Sequence, residues 1–285
     1  MIRKDLEKDM GKFDGILICT DLDGTLYRND KSISRKNKEA IEYFKGEGGS
    51  FTFITGRMPY YSTDAYRAVQ PNVPYGCVNG GGLYDGDAER YIWTKELSKD
   101  AFEIVADIEK SFSDVGIQIC CFDKTYFAKE NSTTVWFRQI AGLPNLTCRY
   151  REVTEPVAKI IFCSDEEEEI LGIMKMLTEH KMADRFGFVR TEKSLCEILP
   201  EGVNKGLAIK KLAEHLKIDM RLTVAIGDYD NDVAMLRAAG CGIAVANASK
   251  RALDAADTVT VSNEEDAIAK VIEDIESGKI LGGTV

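Results

Sequence analysis

Apolar residues in this chain fall into short, separated runs. Ile16-Leu17-Ile18-Cys19, Phe51-Thr52-Phe53-Ile54 and residues 222–226 are each four or five residues long, and each stops at a cluster of Asp, Thr or Gly. Continuous runs of that length predict strands buried on both faces, as in a parallel sheet. Helical spacing separates them. Ala40, Ile41 and Phe44 mark a helix over 34–45 that Gly46, Gly48 and Gly49 end. Pro59 opens another to Val69, and Ile209, Leu212, Ala213 and Leu216 line a third. Beyond these, the pattern predicts a strand over 243–246, a short helix from Asn247 to Leu253, a last strand over 258–261 and a closing helix from about Glu264. Strand alternating with helix predicts an α/β core built on a Rossmann-like parallel sheet.

The rhythm changes between 85 and 191. Strands over 117–122 and 125–128 form a hairpin turning at Asp123-Lys124, and 159–163, 186–189 and 195–199 read as further strands. Ser164 and Glu167 predict a capping box for a helix whose apolar face holds Ile170, Ile173, Met174 and Leu177, and the acidic run 165–169 suits its positive end. This stretch reads as an inserted α+β module acting as a lid, without a cluster of groups suited to chemistry. The chain is thereby divided into a discontinuous core, 1–84 and 192–285, and an insert, 85–191. Residues 78–84, with Asn79-Gly80-Gly81-Gly82, read as a strand with a tight glycine turn, and the Gly-x-Gly-x-x-Gly dinucleotide spacing is missing.

Composition adds exclusions. The 285 residues favour two units, and 44% apolar with 29% charged content is ordinary for a globular protein. A net charge of −10 without any Lys/Arg-rich run argues against a nucleic-acid partner. An acidic protein that binds phosphorylated molecules needs a metal ion or a few placed cations. Of the 8 cysteines, Cys19, Cys163 and Cys196 lie in apolar runs, Cys120 and Cys121 are adjacent, and no Cys-x-x-Cys spacing occurs. Buried thiols in a reducing compartment are the expectation. Residues 1–14 form a charged extension that is neither signal peptide nor anchor, and no apolar run approaches the ~18 residues of a membrane span. A cytoplasmic protein with no membrane partner is expected.

Four junctions carry the candidate chemistry: Asp21 and Asp23 after the first strand, Thr55 and Gly56 after the second, Lys205 at a helix start, and Gly227-Asp228-Tyr229-Asp230-Asn231-Asp232 after 222–226. The carboxyl edge of a parallel sheet is where ligands bind. Taken singly, each has an ordinary reading. Asp and Gly form turns, Thr55 suits a helix cap, and lysines are commonly exposed. Yet a cation at a helix start opposes the helix dipole, the sort of local conflict expected at functional sites. Capping accounts for one aspartate of 228–232 but not three, and an EF-hand fails because the sixth and twelfth loop positions are Val233 and Ala239. Together the junctions suit one phosphate and one metal ion, with Asp21 as nucleophile.

In this order the motifs closely resemble the haloacid dehalogenase (HAD) superfamily of phosphohydrolases, nearest to its Cof-type subfamily of class IIB with a C2-type cap. The resemblance covers nearly the whole chain and rests on Asp21-Leu22-Asp23-Gly24-Thr25, Thr55-Gly56-Arg57, Val78-Asn79-Gly80-Gly81, Gly202-Val203-Asn204-Lys205-Gly206 and Gly227-Asp228 with Asn231-Asp232. One departure is Ala267, where relatives commonly carry a glycine after the aspartate. The resemblance implies a mobile cap and a Mg²⁺-dependent phosphatase acting on small phosphorylated metabolites, sugar phosphates first, through an aspartyl-phosphate. It implies that Asp21 attacks phosphorus and Asp23 serves as acid and base. Asp21, the Asp23 backbone carbonyl and Asp228 would bind Mg²⁺, with Asp232 a weaker or indirect ligand. Thr55, the Gly56 N–H, Lys205 and Asn231 would hold phosphoryl oxygens. The alternatives are a phosphomutase, a phosphatase for pyridoxal phosphate or nucleotides, and a non-catalytic phosphate sensor. Tyr126, Trp136 and Arg138 are candidates for reading the leaving group.

Overall fold

The computed structural model describes residues 11–282. Most of the expected 1–14 extension lies outside them. Phe13, inside, is buried against the rings of Tyr43 and Phe44. In chain order the elements are β1 (Leu17–Thr20), α1 (Arg35–Gly46), β2 (Ser50–Phe53), α2 (Thr63–Val69), β3 (Tyr75–Cys77), β4 (Gly82–Asp85), β5 (Arg90–Thr94), α3 (Ala101–Ser111), β6 (Gly116–Cys121), β7 (Thr125–Lys129), α4 (Ser132–Ile140), β8 (Val157–Cys163), α5 (Glu167–Glu179), β9 (Phe186–Glu192) and β10 (Leu195–Pro200). They continue through α6 (Lys205–Leu216), β11 (Thr223–Gly227), α7 (Val233–Ala238), β12 (Cys241–Ala244), α8 (Lys250–Ala255), β13 (Thr258–Val259) and α9 (Ala267–Glu276).

The core sheet is parallel throughout, in the order β13-β12-β11-β1-β2. Successive side chains of a strand point to opposite faces, and both faces are covered, which explains why the runs are nearly all apolar, with Thr52 of β2 buried as well. Ile18, Phe51, Phe53, Val224 and Ile226 pack with Ile41 and Phe44 of α1 and Ile268, Val271 and Ile272 of α9. Leu17, Cys19 and Ala225 pack on the other side with Ile209 and Leu212 of α6 and Met235 and Leu236 of α7. Side-chain caps fix where the covering helices begin: Ser34 accepts from the Asn37 amide at 3.0 Å, and Asn204 from the Leu207 amide at 3.1 Å.

A second sheet, β7-β6-β8-β10-β9, is antiparallel. Ile117, Ile119, Ile160, Phe162, Cys196 and Ile198 form one face, covered by α3 and α5. Cys120, Ile161, Cys163 and Leu195 on the other face join the cluster of the core sheet. A small antiparallel sheet, β3-β4-β5, sits between the two in sequence.

Several expectations shift. The 78–84 strand is instead a 3₁₀ turn at Val78–Gly80 followed by β4. Helix α5 begins without a capping box: Ser164 accepts from the Glu166 amide and donates to Glu169, while Glu167 is drawn to Arg190. Ser249 rather than Asn247 caps α8. The closing helix starts at Ala267, after Asp266 takes the left-handed conformation with φ 63. The glycine-like geometry is thus met one residue before the departure, at Asp266. Residues 192–200, assigned to the core by sequence, include β10, which pairs between β8 and β9, and β5 pairs with β4. All eight cysteines are free. Among the described residues, no helix is long and apolar enough to cross a membrane.

Candidate active site

Between β1 and β11 the strand order reverses, the point in an open α/β sheet where a crevice forms beyond the carboxyl ends. Thr20 and Ile226 are register partners there, so Asp21 and Asp228 leave the sheet side by side. One carboxylate oxygen from each of Asp21, Asp228 and Asp232 falls within 4.8 Å of the others. Lys205, at the first turn of α6 and 1% exposed, places Nζ 2.6 Å from Asp21 Oδ1 and 2.6 Å from Asp232 Oδ1. The cation that opposes the α6 dipole is held there by two carboxylates.

The electrostatics follow from burial. Desolvation raises the Asp21 carboxyl well above its usual range; Lys205 opposes this, and Asp232 and Asp228 add to it. Asp228 is pushed up to about 6 by burial and by Asp232, against the Thr25 hydroxyl and Lys205. Burial works against the Lys205 charge, yet Asp21 and Asp232 hold it above its ordinary value. Three carboxylates against one ammonium leave a sheltered negative excess.

An all-oxygen donor set of this kind fits a hard divalent cation such as Mg²⁺. The donors are not equivalent. Asp232 Oδ1 accepts from Lys205, and its Oδ2 accepts from the Asp228 and Tyr229 amides, both at 3.0 Å. Asp232 therefore braces the loop and the lysine, while Asp21 and Asp228 have the freer oxygens. Thr25 Oγ1 donates to Asp228 Oδ1 at 2.8 Å. Gly24, with φ +80, lies so close beneath that a Cβ there would meet Asp228 Oδ2 at 2.5 Å.

The Asp23 carboxylate points elsewhere. It accepts from Arg57 Nη2 at 2.7 Å and Lys31 Nζ at 2.9 Å. Partial burial would raise its pKa, but Arg57 and Lys31 bring it below the usual range. Thr55, 3% exposed, follows β2; its Oγ1 accepts from the Arg57 amide at 3.2 Å and its carbonyl from the Asn79 amide at 3.0 Å. A Cβ on Gly56 would lie 3.1 Å from the Asn79 side chain, and Asn231 Nδ2 donates to Asn79 Oδ1 at 3.3 Å. Thr55, Gly56 and Asn231 thus meet around Asn79. Val78 and Asn79 both have positive φ, 56 and 51. Such a conformation is an outlier for a β-branched residue and clusters at functional sites.

The sequence assigns no role to Arg57, Thr25 or Asn79, although all three lie in quoted motifs, and it does not single out Lys31. The partner of Arg57 is 34 residues away. The candidate insert residues are engaged locally: Tyr126 donates to Glu155, Arg138 pairs with Glu130, and Trp136 is 58% exposed.

The haloacid dehalogenase-like hydrolase family model matches residues 18–272. The chain is 27% identical over 264 residues to the 5-amino-6-(5-phospho-D-ribitylamino)uracil phosphatase YitU of Bacillus subtilis, covering 90% of this chain and 96% of that one. It is 28% identical over 290 residues to YwtE, a phosphatase of the same name from the same organism, covering 92% and 98%. The fold is similar to that of the HAD subclass IIB sugar phosphatase BT4131, with TM-score 0.79 and 21% identity over 91% of this chain and 98% of that chain. Matched along most of its length and carrying the clustered aspartates at the expected sheet edge, the chain belongs to the haloacid dehalogenase-like hydrolases, as an enzyme of the phosphoric monoester hydrolase class for which its relatives are named.

Proposed function

We propose that the protein is a Mg²⁺-dependent phosphatase that hydrolyses small phosphomonoesters, sugar or polyol phosphates above all, through a phosphoryl group carried on Asp21. The observation that carries this reading is the buried group of Asp21, Lys205, Asp232 and Asp228 at the switch point of the sheet. Asp21 and Asp228, with the Asp23 backbone carbonyl, would hold Mg²⁺. When bound, Mg²⁺ supplies the positive charge that lets a carboxylate approach a phosphate dianion.

Asp21 attacks phosphorus through its free oxygen as the ester P–O bond breaks, and the departing alkoxide takes a proton from Asp23. Water then attacks the phosphorus of the aspartyl-phosphate, Asp23 accepts its proton, and orthophosphate leaves with Asp21 restored. Lys205 keeps Asp21 in place and, with Thr55, the Gly56 amide and Asn231, stabilises the transferring oxygens. The pairs with Arg57 and Lys31 hold Asp23 in the basic form that the second step uses. They have to loosen for the first, which ties proton delivery to substrate entry.

Part of the reading is that the insert caps this edge, with β5 staying with the core and β10 with the cap. β9 packs on the Asp230–Asp232 turn, and the Glu192 carboxyl at its end is raised by desolvation and by Asp23, against Lys31 and Arg57. An acid facing the mouth suits a leaving group rich in hydroxyls. The names of the relatives, a phosphoribitylamino-uracil phosphatase and a sugar phosphatase, support that substrate class.

The test is orthophosphate release with Mg²⁺ across sugar phosphates, a ribityl phosphate, nucleotides and pyridoxal phosphate, with Asp21→Asn alongside. Release by wild type, strongest on sugar or polyol phosphates, and silence of the variant are expected. Transfer to a second sugar without free phosphate would establish a mutase instead.

A further inference from the structure

Lys159 is a lone cation inside the apolar run of β8, and it is buried to 1% exposure. Its Nζ donates to Glu197 Oε1 on β10 at 2.7 Å and, across the boundary between the two sheets, to the carbonyl oxygen of Gly56 at 2.9 Å. The other oxygen of Glu197, itself 3% exposed, accepts from Asn79 Nδ2 at 2.8 Å. Asn79 Oδ1 in turn accepts from Asn231. The ion pair belongs to the insert's sheet, whereas Gly56, Asn79 and Asn231 belong to the core.

Burying an ion pair is costly, and an apolar pair of the same volume is often as stable. Fold stability alone therefore does not account for these two buried charges on the face that Cys120, Ile161, Cys163 and Leu195 share with the neutral Gln118 and Thr125. Their contacts do have a common end point. The Gly56 carbonyl belongs to the peptide whose N–H, on Arg57, donates to Thr55 Oγ1. Fixing that plane fixes the Thr55–Gly56 cradle, and fixing Asn79 aims Asn231. Burial works against the Lys159 charge, but Glu197, followed by Tyr61 and Cys120, keeps the ammonium charged above its ordinary value. A charged donor gives the stronger hydrogen bond to a carbonyl.

Resting on the function proposed above, we propose that Lys159 and Glu197 are positioning residues through which the insert completes the phosphate cradle: the pair clamps the Gly56 peptide and, by way of Asn79, the Asn231 amide. They touch the phosphate's holders and not the leaving group. Their loss must therefore weaken phosphate binding by a similar factor whatever the alcohol portion of the substrate.

The experiment compares wild type with Lys159→Met, Glu197→Gln and the double variant, in saturating Mg²⁺. Inhibition by inorganic phosphate is measured together with kcat/KM for a hexose phosphate and for p-nitrophenyl phosphate; circular dichroism and thermal unfolding report folding. Folded Lys159→Met is expected to raise the Ki for phosphate about tenfold and to lower kcat/KM equally for both substrates. The double variant should lose no more than the worse single one, since the network acts as a unit. Should Lys159→Met not fold, Glu197→Gln, which keeps size and removes only charge, takes its place. A folded variant with the wild-type Ki, or a loss confined to one substrate, overturns the clamp while wild-type turnover and a silent Asp21→Asn leave the phosphatase reading intact. A wild type that neither hydrolyses phosphomonoesters nor binds phosphate overturns both.

Discussion

Lys205, almost wholly buried, holds two carboxylates at 2.6 Å, and their charge is tolerable only while it stays. Lys205→Met should cost about 3–5 kcal/mol in urea unfolding at neutral pH, the usual result of leaving buried charges unpaired. The loss should shrink in acid, where Asp21 takes a proton instead. Asp228 gives a second prediction. Its pKa is raised to about 6, so metal-free folding takes up a proton. The stability from that proton is full below the ordinary carboxylate range and is lost as pH rises through about 6. If Asp228 is a ligand as proposed, Mg²⁺ competes with the same proton, and its apparent affinity should fall about tenfold per pH unit below that value. The rise in Tm on adding Mg²⁺ should accordingly be larger at pH 7.5 than at pH 5, and an equal rise at both would refute this. Lys205 was legible in the sequence because a cation at a helix start opposes the dipole, and Asp228 because capping accounts for only one aspartate of 228–232; Asp21 was marked only by its place after an apolar run and by the recurrence of such junctions. Arg57 and Lys31 were not, because a pairing between separate loops leaves no mark on either stretch. Lys159 had a mark that was passed over, a charge inside an apolar strand.

Strands β1, β2 and β11 were readable for a physical reason: burial on both faces favours a near-continuous apolar run, which Thr52 alone interrupts within the 51–54 run, and each ends at a turn with candidate site residues. Helix starts were less so. Ser164 and Glu167 have the spacing of a capping box, but Arg190 on β9 competes for the glutamate, and such a cross-element ion pair is invisible locally. The 78–84 segment misled because two non-glycine residues adopt positive φ there. The turn after β1 allows a prediction at this scale. Gly24 has φ +80 and faces Asp228 at 2.5 Å from a would-be Cβ. Gly24→Ala should cost more than about 1 kcal/mol of stability. It should also weaken Mg²⁺ binding about tenfold in calorimetry, because the new methyl displaces the ligand. A variant with wild-type Mg²⁺ affinity would mean that Asp228 is not a ligand.

At the scale of the molecule, a parallel sheet accompanied by antiparallel ones was anticipated by the change of rhythm along the chain. Which sheet a strand joins was not. Residues 195–199 read as a strand beside the boundary set at 192, and the pairing of β10 with β8 and β9 puts it in the antiparallel sheet, which only the tertiary register reveals. Because β10 lies in the antiparallel sheet, Glu197 meets Asn79 across the boundary between the two sheets, and the proposed clamp rests on that contact. The central claim is that the phosphoryl group rests on Asp21 between the two steps. The direct measurement is an acid-quenched turnover with Mg²⁺ and a substrate selected from the panel, followed by peptide mapping. A phosphoryl group on the peptide that carries Asp21, absent in Asp21→Asn, is the predicted result. Steady phosphate release with that peptide unmodified in wild type, or full turnover by Asp21→Asn, would contradict the account.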